Sequence, residues 1–195
     1  MDIELGEQRP LLLAIAGPNG AGKSTFHEQF IRPFGMPFVN ADEIAREVGL
    51  TAYAAAESAA RVRAELLACG ESFVFETVLS DPAGEKVEFL RRAAEERSYA
   101  VLLCFIGIDS AETSNERVFI RVTEGGHDVP EDKLRTRFPR TMANLARAIR
   151  VLPRIYVFDN SDDKNPYRFV AEFEGRQVKR RADDWPHWFE AALEL

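Results

Sequence analysis

Hydrophobic positions along this chain fall into short continuous runs, separated by longer stretches in which they recur every three or four residues. A continuous apolar run of about four to eight residues suits a strand buried on both faces, whereas the 3.6-residue recurrence marks an amphipathic helix. The runs predict strands at Leu11–Ala16, Pro37–Asn40, Ser72–Thr77, Tyr99–Ile108 and Arg154–Phe158. Between them, the alanine-rich segment Ala52–Ala68 is a strong helix former, and Val87, Leu90 and Ala94 mark the buried face of another helix. Alternation of this kind predicts a mostly parallel sheet with helices on both faces. Past Asp159 the pattern changes. Two extended runs flank Glu174, Gly175 and Arg176 and predict a hairpin, and "DWPHWFEAALEL" predicts a closing helix with Pro186 near its start and Trp188, Phe189 and Ala192 on one face.

Composition narrows the picture. At 195 residues the chain is the size of one domain, which we expect to span residues 1–195. Hydrophobic residues at 46% and charged residues at 29% describe a folded, soluble protein. The formal net charge of -7 argues against nucleic acid or an anionic membrane as partner, since both attract broad basic faces; a small anionic substrate remains compatible with a local basic cluster. The run "LLLAIAG" from Leu11 follows an acidic stretch and lacks the basic flank and length of a signal peptide or membrane span, so a cytoplasmic location is expected. Cys69 and Cys104 sit in apolar contexts without metal-type spacing, and both are expected to be buried.

Three motifs carry chemistry. "GPNGAGKST" comprises Gly17, Pro18, Asn19, Gly20, Ala21, Gly22, Lys23, Ser24 and Thr25; it fits G-x-x-x-x-G-K-S and lies between a strand and a helix, as a phosphate-binding loop requires. Its glycines let successive N–H groups face a phosphate, and the helix N-terminus adds partial positive charge. Lys23 would reach the β and γ phosphates of ATP, and Ser24 would bind Mg²⁺. In "FVNADEIA", Asn40 and Asp42 stand at a helix start on the carboxyl edge of the sheet; either residue suits a helix cap, and Asp42 also suits a base that takes a substrate hydroxyl proton. In "FVFETVLS", a strand delivers Glu76 and Thr77 to the same edge, where a carboxylate can sit near Mg²⁺ or hold a substrate hydroxyl.

The segment "RVTEGGHDVPEDKLRTRFPR", residues 121–140, places Arg121, Lys133, Arg135, Arg137 and Arg140 around the turn residues Gly125 and Gly126. Between two helices in the second half of a P-loop fold, such a segment is a lid, and arginine forks suit transferring phosphates. Ion pairing with Glu124, Asp128, Glu131 or Asp132 is the alternative for individual arginines. His127 is read as an orienting or structural residue of the lid. The polar turn in "VFDNSDD" either flanks the nucleotide base or forms a plain Asx turn.

In this order and spacing, the loop "GPNGAGKST" with "NADEIA", "FETVLS" and the arginine-rich segment resembles the zeta toxin family of P-loop kinases, in its compact branch, over roughly Leu11 to Ser161. The resemblance implies an α/β, P-loop kinase-like doubly wound sheet, mostly parallel, with a helical lid at about 121–140 and a C-terminal hairpin plus helix. It implies ATP and Mg²⁺ as cofactors, transfer of the γ-phosphate to the sugar 3′-hydroxyl of UDP-N-acetylglucosamine, and an antitoxin protein as partner. By position, Lys23 matches the phosphate-binding lysine, Asp42 the general base and Glu76 the substrate-binding carboxylate, with Asn40 and Thr77 beside them. Arg121 matches the first lid arginine, and Arg137 or Arg135 the second. Pro139, inside the second lid helix, would remove a backbone bond or kink it. A P-loop kinase for another acceptor (a nucleoside, a sugar or a dinucleotide) and an ATPase or nucleotide switch without an acceptor are the other readings of these motifs.

Overall fold

The computed structural model describes residues 3–123 and 130–195. Seven strands form one sheet in the order β2-β3-β1-β4-β5-β6-β7. Strands β1 (Leu11–Ala16), β2 (Phe38–Val39), β3 (Phe73–Thr77), β4 (Ala100–Gly107) and β5 (Arg154–Asp159) pair in parallel, while β6 (Arg168–Glu174) and β7 (Gln177–Arg181) continue antiparallel. All six residues of β1 are buried, and this is why its sequence is uniformly apolar rather than alternating. β2 is only two residues long, bounded by Pro37, which still bonds to β3, and by Asn40, which turns to the next helix. The Pro37 carbonyl accepts from the Val74 N–H, and Asn40 caps the following helix.

Helices cover both faces. On one, α1 (Lys23–Phe26) runs on through a wide turn at His27–Ile31 and a tight one at Arg32–Phe34. Its Phe26 sits 5.1 Å from Phe30, 5.2 Å from Phe158 and 5.4 Å from Tyr167, centroid to centroid, so aromatic edges and faces fill that side of the core. On the other face, α3 (Ala52–Ala68), α4 (Glu85–Arg97), α6 (Glu131–Val151) and α7 (His187–Leu193) pack over Leu12, Phe73, Phe75, Leu103 and Phe105. Two further helices, α2 (Ala41–Val48) and α5 (Ala111–Thr123), flank the carboxyl edge of the sheet.

The helical pattern holds in detail. Val87, Leu90 and Ala93 form the buried stripe of α4, with Ala94 at its margin. In α7, Trp188, Phe189 and Ala192 are buried behind Pro186. α6 continues through Pro139, which has no N–H to offer the carbonyl four residues earlier. At the β6–β7 turn both Gly175 (φ 57°) and Arg176 (φ 71°) are left-handed, the backbone of a type I′ hairpin, although only the glycine signals it in sequence.

One cysteine departs from expectation. Cys104 lies in the middle of β4, and burial pushes its thiol pKa up. Cys69 is exposed, because it closes α3 just before the left-handed Gly70 turns the chain away from the core.

Register decides what the sheet presents at its carboxyl edge. Ala16 pairs with Thr77 and with Phe105, and Gly107 pairs with Asp159. The loops after β1, β3 and β5 therefore emerge side by side, and α2 starts beside them.

Candidate functional site

The loop from Gly17 to Thr25 leaves β1 under tight steric control. At Gly17 (φ 146°) any Cβ would lie 2.0 Å from the Ile106 carbonyl oxygen, and at Gly22 (φ 83°) it would meet the Asn160 amide at 2.7 Å. No other residue lets the backbone curl here against β4 and the loop after β5. That second loop clamps the first. Asn160 Nδ2 donates to the Ala21 carbonyl (3.0 Å) and the Tyr167 hydroxyl donates to the Gly22 carbonyl (2.9 Å). Asp159 meanwhile accepts from Ser161 N–H (3.2 Å) in an Asx turn, and from Trp188 Nε1 (3.0 Å). "VFDNSDD" thus contains an Asx turn and also braces the phosphate-binding loop.

Lys23 opens α1 at only 6% exposure. Its Nζ donates to the Pro18 carbonyl at 2.9 Å and stands 3.7 Å from Glu76 Oε1. Burial holds its pKa below the usual lysine value; Glu76 and Asp42 oppose that shift and Arg121 adds to it. Ser24 Oγ donates to Glu76 Oε2 at 2.8 Å, so the hydroxyl and carboxylate named for Mg²⁺ are already in contact. Two oxygen ligands of this kind, with phosphate oxygens and waters to complete the shell, fit Mg²⁺. Thr25 lies within hydrogen-bonding reach of the Tyr167 phenol.

Asn40 is 94% shielded and uses both ends of its amide. Oδ1 accepts from the Asp42 N–H at 2.8 Å, capping α2, while Nδ2 donates to Glu76 Oε2 at 3.1 Å. Asp42 is therefore the capped residue, not the cap, and its exposed carboxylate lines a cleft of about 610 Å³. Thr77 also lines the cleft, but its Oγ1 accepts from the Leu79 N–H at 3.0 Å and braces the left-handed turn at Leu79.

Asn19, Asp42 and Glu76 border the cleft, α3 and α4 form one wall, and the end of α5 with the start of α6 forms the other. Arg121, Lys133 and Arg137 line that last wall, one turn of α6 separating Lys133 from Arg137. Arg135 and Arg140 are exposed and lie outside the lining. Among the described residues none of Arg135, Arg137 and Arg140 pairs with Glu131 or Asp132. Gly125, Gly126 and His127, with Glu124 and Asp128, lie outside the described residues.

Several residues at the site escaped the sequence reading. Arg63 of α3 and Lys86 of α4 line the cleft. Arg117 ties α5 to the β5 loop through the Asn160 carbonyl (2.6 Å) and Asp163 (2.8 Å). Arg63 has no local signal, since it lies in an alanine-rich helix; only the fold sets it against Phe75. Counting the lining, Arg63, Lys86, Arg121, Lys133 and Arg137 face Asp42, Glu76 and Glu85, a cationic excess in an acidic protein.

A strand–loop–helix phosphate cradle, a 2-3-1-4-5 parallel sheet and arginine-bearing helices across the cleft define a P-loop kinase fold. The family model for zeta toxin matches residues 37–169, beyond the Gly17–Thr25 loop, and the chain belongs to the zeta toxin family. Among solved structures, the AvrRxo1-ORF1:-ORF2 complex with ATP superposes with a TM-score of 0.72 at 20% identity, over 96% of this chain and 64% of that one. This chain is thus comparable to somewhat under two thirds of the AvrRxo1 chain. The toxin–antitoxin protein PezAT of Streptococcus pneumoniae matches at TM-score 0.56 and 17% identity, over 96% and 84% of the two chains. A putative kinase from Chloroflexus aurantiacus gives 0.57 and 16% over 80% and 91%. No curated protein matches the chain.

Proposed function

We propose that the protein is an ATP-dependent small-molecule kinase of zeta-toxin type that moves the γ-phosphate of ATP to the sugar 3′-hydroxyl of UDP-N-acetylglucosamine. The observation that carries this reading is that Lys23, Ser24 and Asn40 all converge on Glu76, which with Asp42 lines a cleft that Arg121 and Arg137 also line. Backbone N–H groups of Gly17–Thr25 hold the β and γ phosphates, and Lys23 moves from the Pro18 carbonyl to their oxygens. Ser24 and Glu76 would hold Mg²⁺, which neutralises phosphate charge when bound.

Asp42 takes the proton of the acceptor hydroxyl as that oxygen attacks the γ-phosphorus. The new O–P bond forms, the bond from the γ-phosphorus to the β-γ bridging oxygen breaks, and ADP leaves with the electron pair. Asn40 fixes Glu76 through its amide, so the carboxylate and the capped helix keep one geometry. Arg121 and Arg137 stabilise charge on the transferring phosphoryl group. A free carboxylate beside the acceptor space favours transfer over plain hydrolysis, which needs only a positioned water. The ATP of the AvrRxo1 complex and the likeness to the PezAT toxin–antitoxin system support ATP as donor and an antitoxin protein as partner. Cytoplasmic residence belongs to the same reading; no helix of the described residues is long and apolar enough to cross a membrane.

The test is incubation with labelled ATP and a panel of sugar nucleotides, nucleosides and dinucleotides, with products identified by mass. Phosphorylated UDP-N-acetylglucosamine is the expected product. Label moving only to water would overturn the kinase reading, and label moving only to another acceptor would overturn the sugar nucleotide.

A further inference from the structure

Arg63 projects from α3 into the cleft, with its guanidinium 5.1 Å from the centroid of the buried Phe75 ring. Phe75 in turn meets the edge of Phe89 at 6.0 Å, so the cation rests on a fixed aromatic pair. Among the described residues Arg63 makes no hydrogen bond or ion pair, and burial alone depresses its pKa. The neighbouring cleft cation on α4 is different, for Lys86 Nζ lies 3.5 Å from Asp81. Beside Arg63, the small side chains of Ala52, Ala56, Ala60 and Ala64 line the same wall and leave its space open. A cation removed from water without a counter-ion is uphill in free energy until an anion reaches it. A planar fork whose donors are all unused is matched by phosphate oxygens, which accept two parallel bonds from it.

We propose that Arg63 is the specificity-determining residue of the acceptor side: it binds a phosphate group carried by the acceptor and so selects a phosphate-bearing acceptor over a neutral sugar or nucleoside. The inference rests on the reading of this cleft as the acceptor site. Phosphate transfer occurs at Asp42, next to the phosphate-binding loop, whereas Arg63 holds the part of the acceptor that does not react. Binding energy from that remote group orients the reacting hydroxyl.

The experiment compares wild type with Arg63→Met and Arg63→Lys. The phosphate-binding loop is filled with a non-hydrolysable ATP analogue and Mg²⁺, and each protein is titrated calorimetrically with UDP-N-acetylglucosamine, uridine and N-acetylglucosamine. Arg63→Met should weaken UDP-N-acetylglucosamine about 10- to 100-fold, the scale of charge-assisted hydrogen bonds, and Arg63→Lys should recover part of that. Binding of the two neutral probes and of the ATP analogue should not change. The melting temperature of Arg63→Met should be no lower than that of wild type, since an unpaired desolvated charge has been removed. Unchanged UDP-N-acetylglucosamine binding in Arg63→Met, no binding by wild type, equal weakening of the neutral probes, or a clear fall in melting temperature would each overturn the proposal. Arg63-dependent binding without phosphate transfer would sink the kinase reading and leave this one standing; full transfer with undiminished binding in Arg63→Met would do the reverse.

Discussion

Because Asn40 caps α2 with one end of its amide and holds Glu76 with the other, the Asp42 carboxylate is left facing the cleft. Of the two readings the sequence left for one short segment, helix capping falls on Asn40, and the proton abstraction we propose is left to Asp42. Asp42→Asn should lower transfer by about 10² to 10⁴ while ATP affinity and melting temperature stay near wild type, because the cap is untouched. Steady-state kinetics with ATP titration and a melting curve check this; full specific activity would remove Asp42 from the chemistry. A second residue carries a pH signature. His27 is buried, stacked on Phe38 at 3.6 Å, and burial lowers its pKa despite Glu28 Oε1 at 3.4 Å from Nδ1 and the more distant Glu76, while Arg32 adds to the lowering. With the folded-state value below the unfolded value of about 6.5, the unfolded chain binds more protons in between, so stability falls as pH drops from 6.5 toward the folded-state pKa. Denaturant midpoints from pH 7.5 to 5.5 should show that decline, and His27→Gln should flatten it; an unchanged slope in the variant would assign the decline to other groups.

At the scale of elements, the phase of α6 decides which arginine matters. Leu134 and Thr141 are buried and Lys133 and Arg137 share the cleft-facing side, with Arg135 on the opposite side; Arg140 follows Lys133 and Arg137 on the same stripe but is exposed and lies beyond the cleft lining. The sequence could not separate Arg135 from Arg137, because two basic residues two apart on a helix lie on different faces and nothing local says which face meets the cleft. Arg121→Ala and Arg137→Ala should each lower kcat more than they raise the Kd for ATP, since in the proposed reaction the loop after β1 already holds the phosphates. For the better-placed arginine the loss is expected to reach about 10² to 10⁵, by analogy with arginine fingers. Arg135→Ala and Arg140→Ala should stay close to wild type. Single-turnover rates beside ATP affinities decide it; a loss confined to ATP affinity at every position would make the cluster a binding patch only. The strands were legible for the opposite reason. Leu11–Ala16 must be apolar throughout when both faces are covered, so its composition alone reports its place. Arg63 was not legible, because its meaning depends on Phe75, which is remote in sequence and reaches it only through the packing of α3 on β3. Cys69 misled for a related reason, as an apolar neighbourhood in sequence says little about the residue that caps a helix end.

At the scale of the molecule, the same register that aligns the loops also joins every strand into one sheet, with α1 on one face and α3, α4, α6 and α7 on the other. The loop after β5 grips the loop after β1 through Asn160 and Tyr167, and Trp188 of α7 fills the space over Gly107 while bonding Asp159. Elements distant in sequence thus depend on one another, and we propose that the chain unfolds as one cooperative unit. Calorimetry should give a single transition with equal calorimetric and van't Hoff enthalpies; two separate transitions would divide residues 1–195 into independent parts. ATP with Mg²⁺ at about 100 times its Kd should stabilise the whole unit by about 2.7 kcal/mol, a shift of roughly 5–10 °C for a chain of this size. Lys23→Ala should abolish both that shift and phosphate transfer, since among the described residues the buried ammonium contacts its own loop and Glu76 alone, and in the proposed reaction it turns to the phosphates. If Lys23→Ala melted cooperatively, kept its transfer rate and still gained the full shift, the loop from Gly17 to Thr25 would not be where ATP binds.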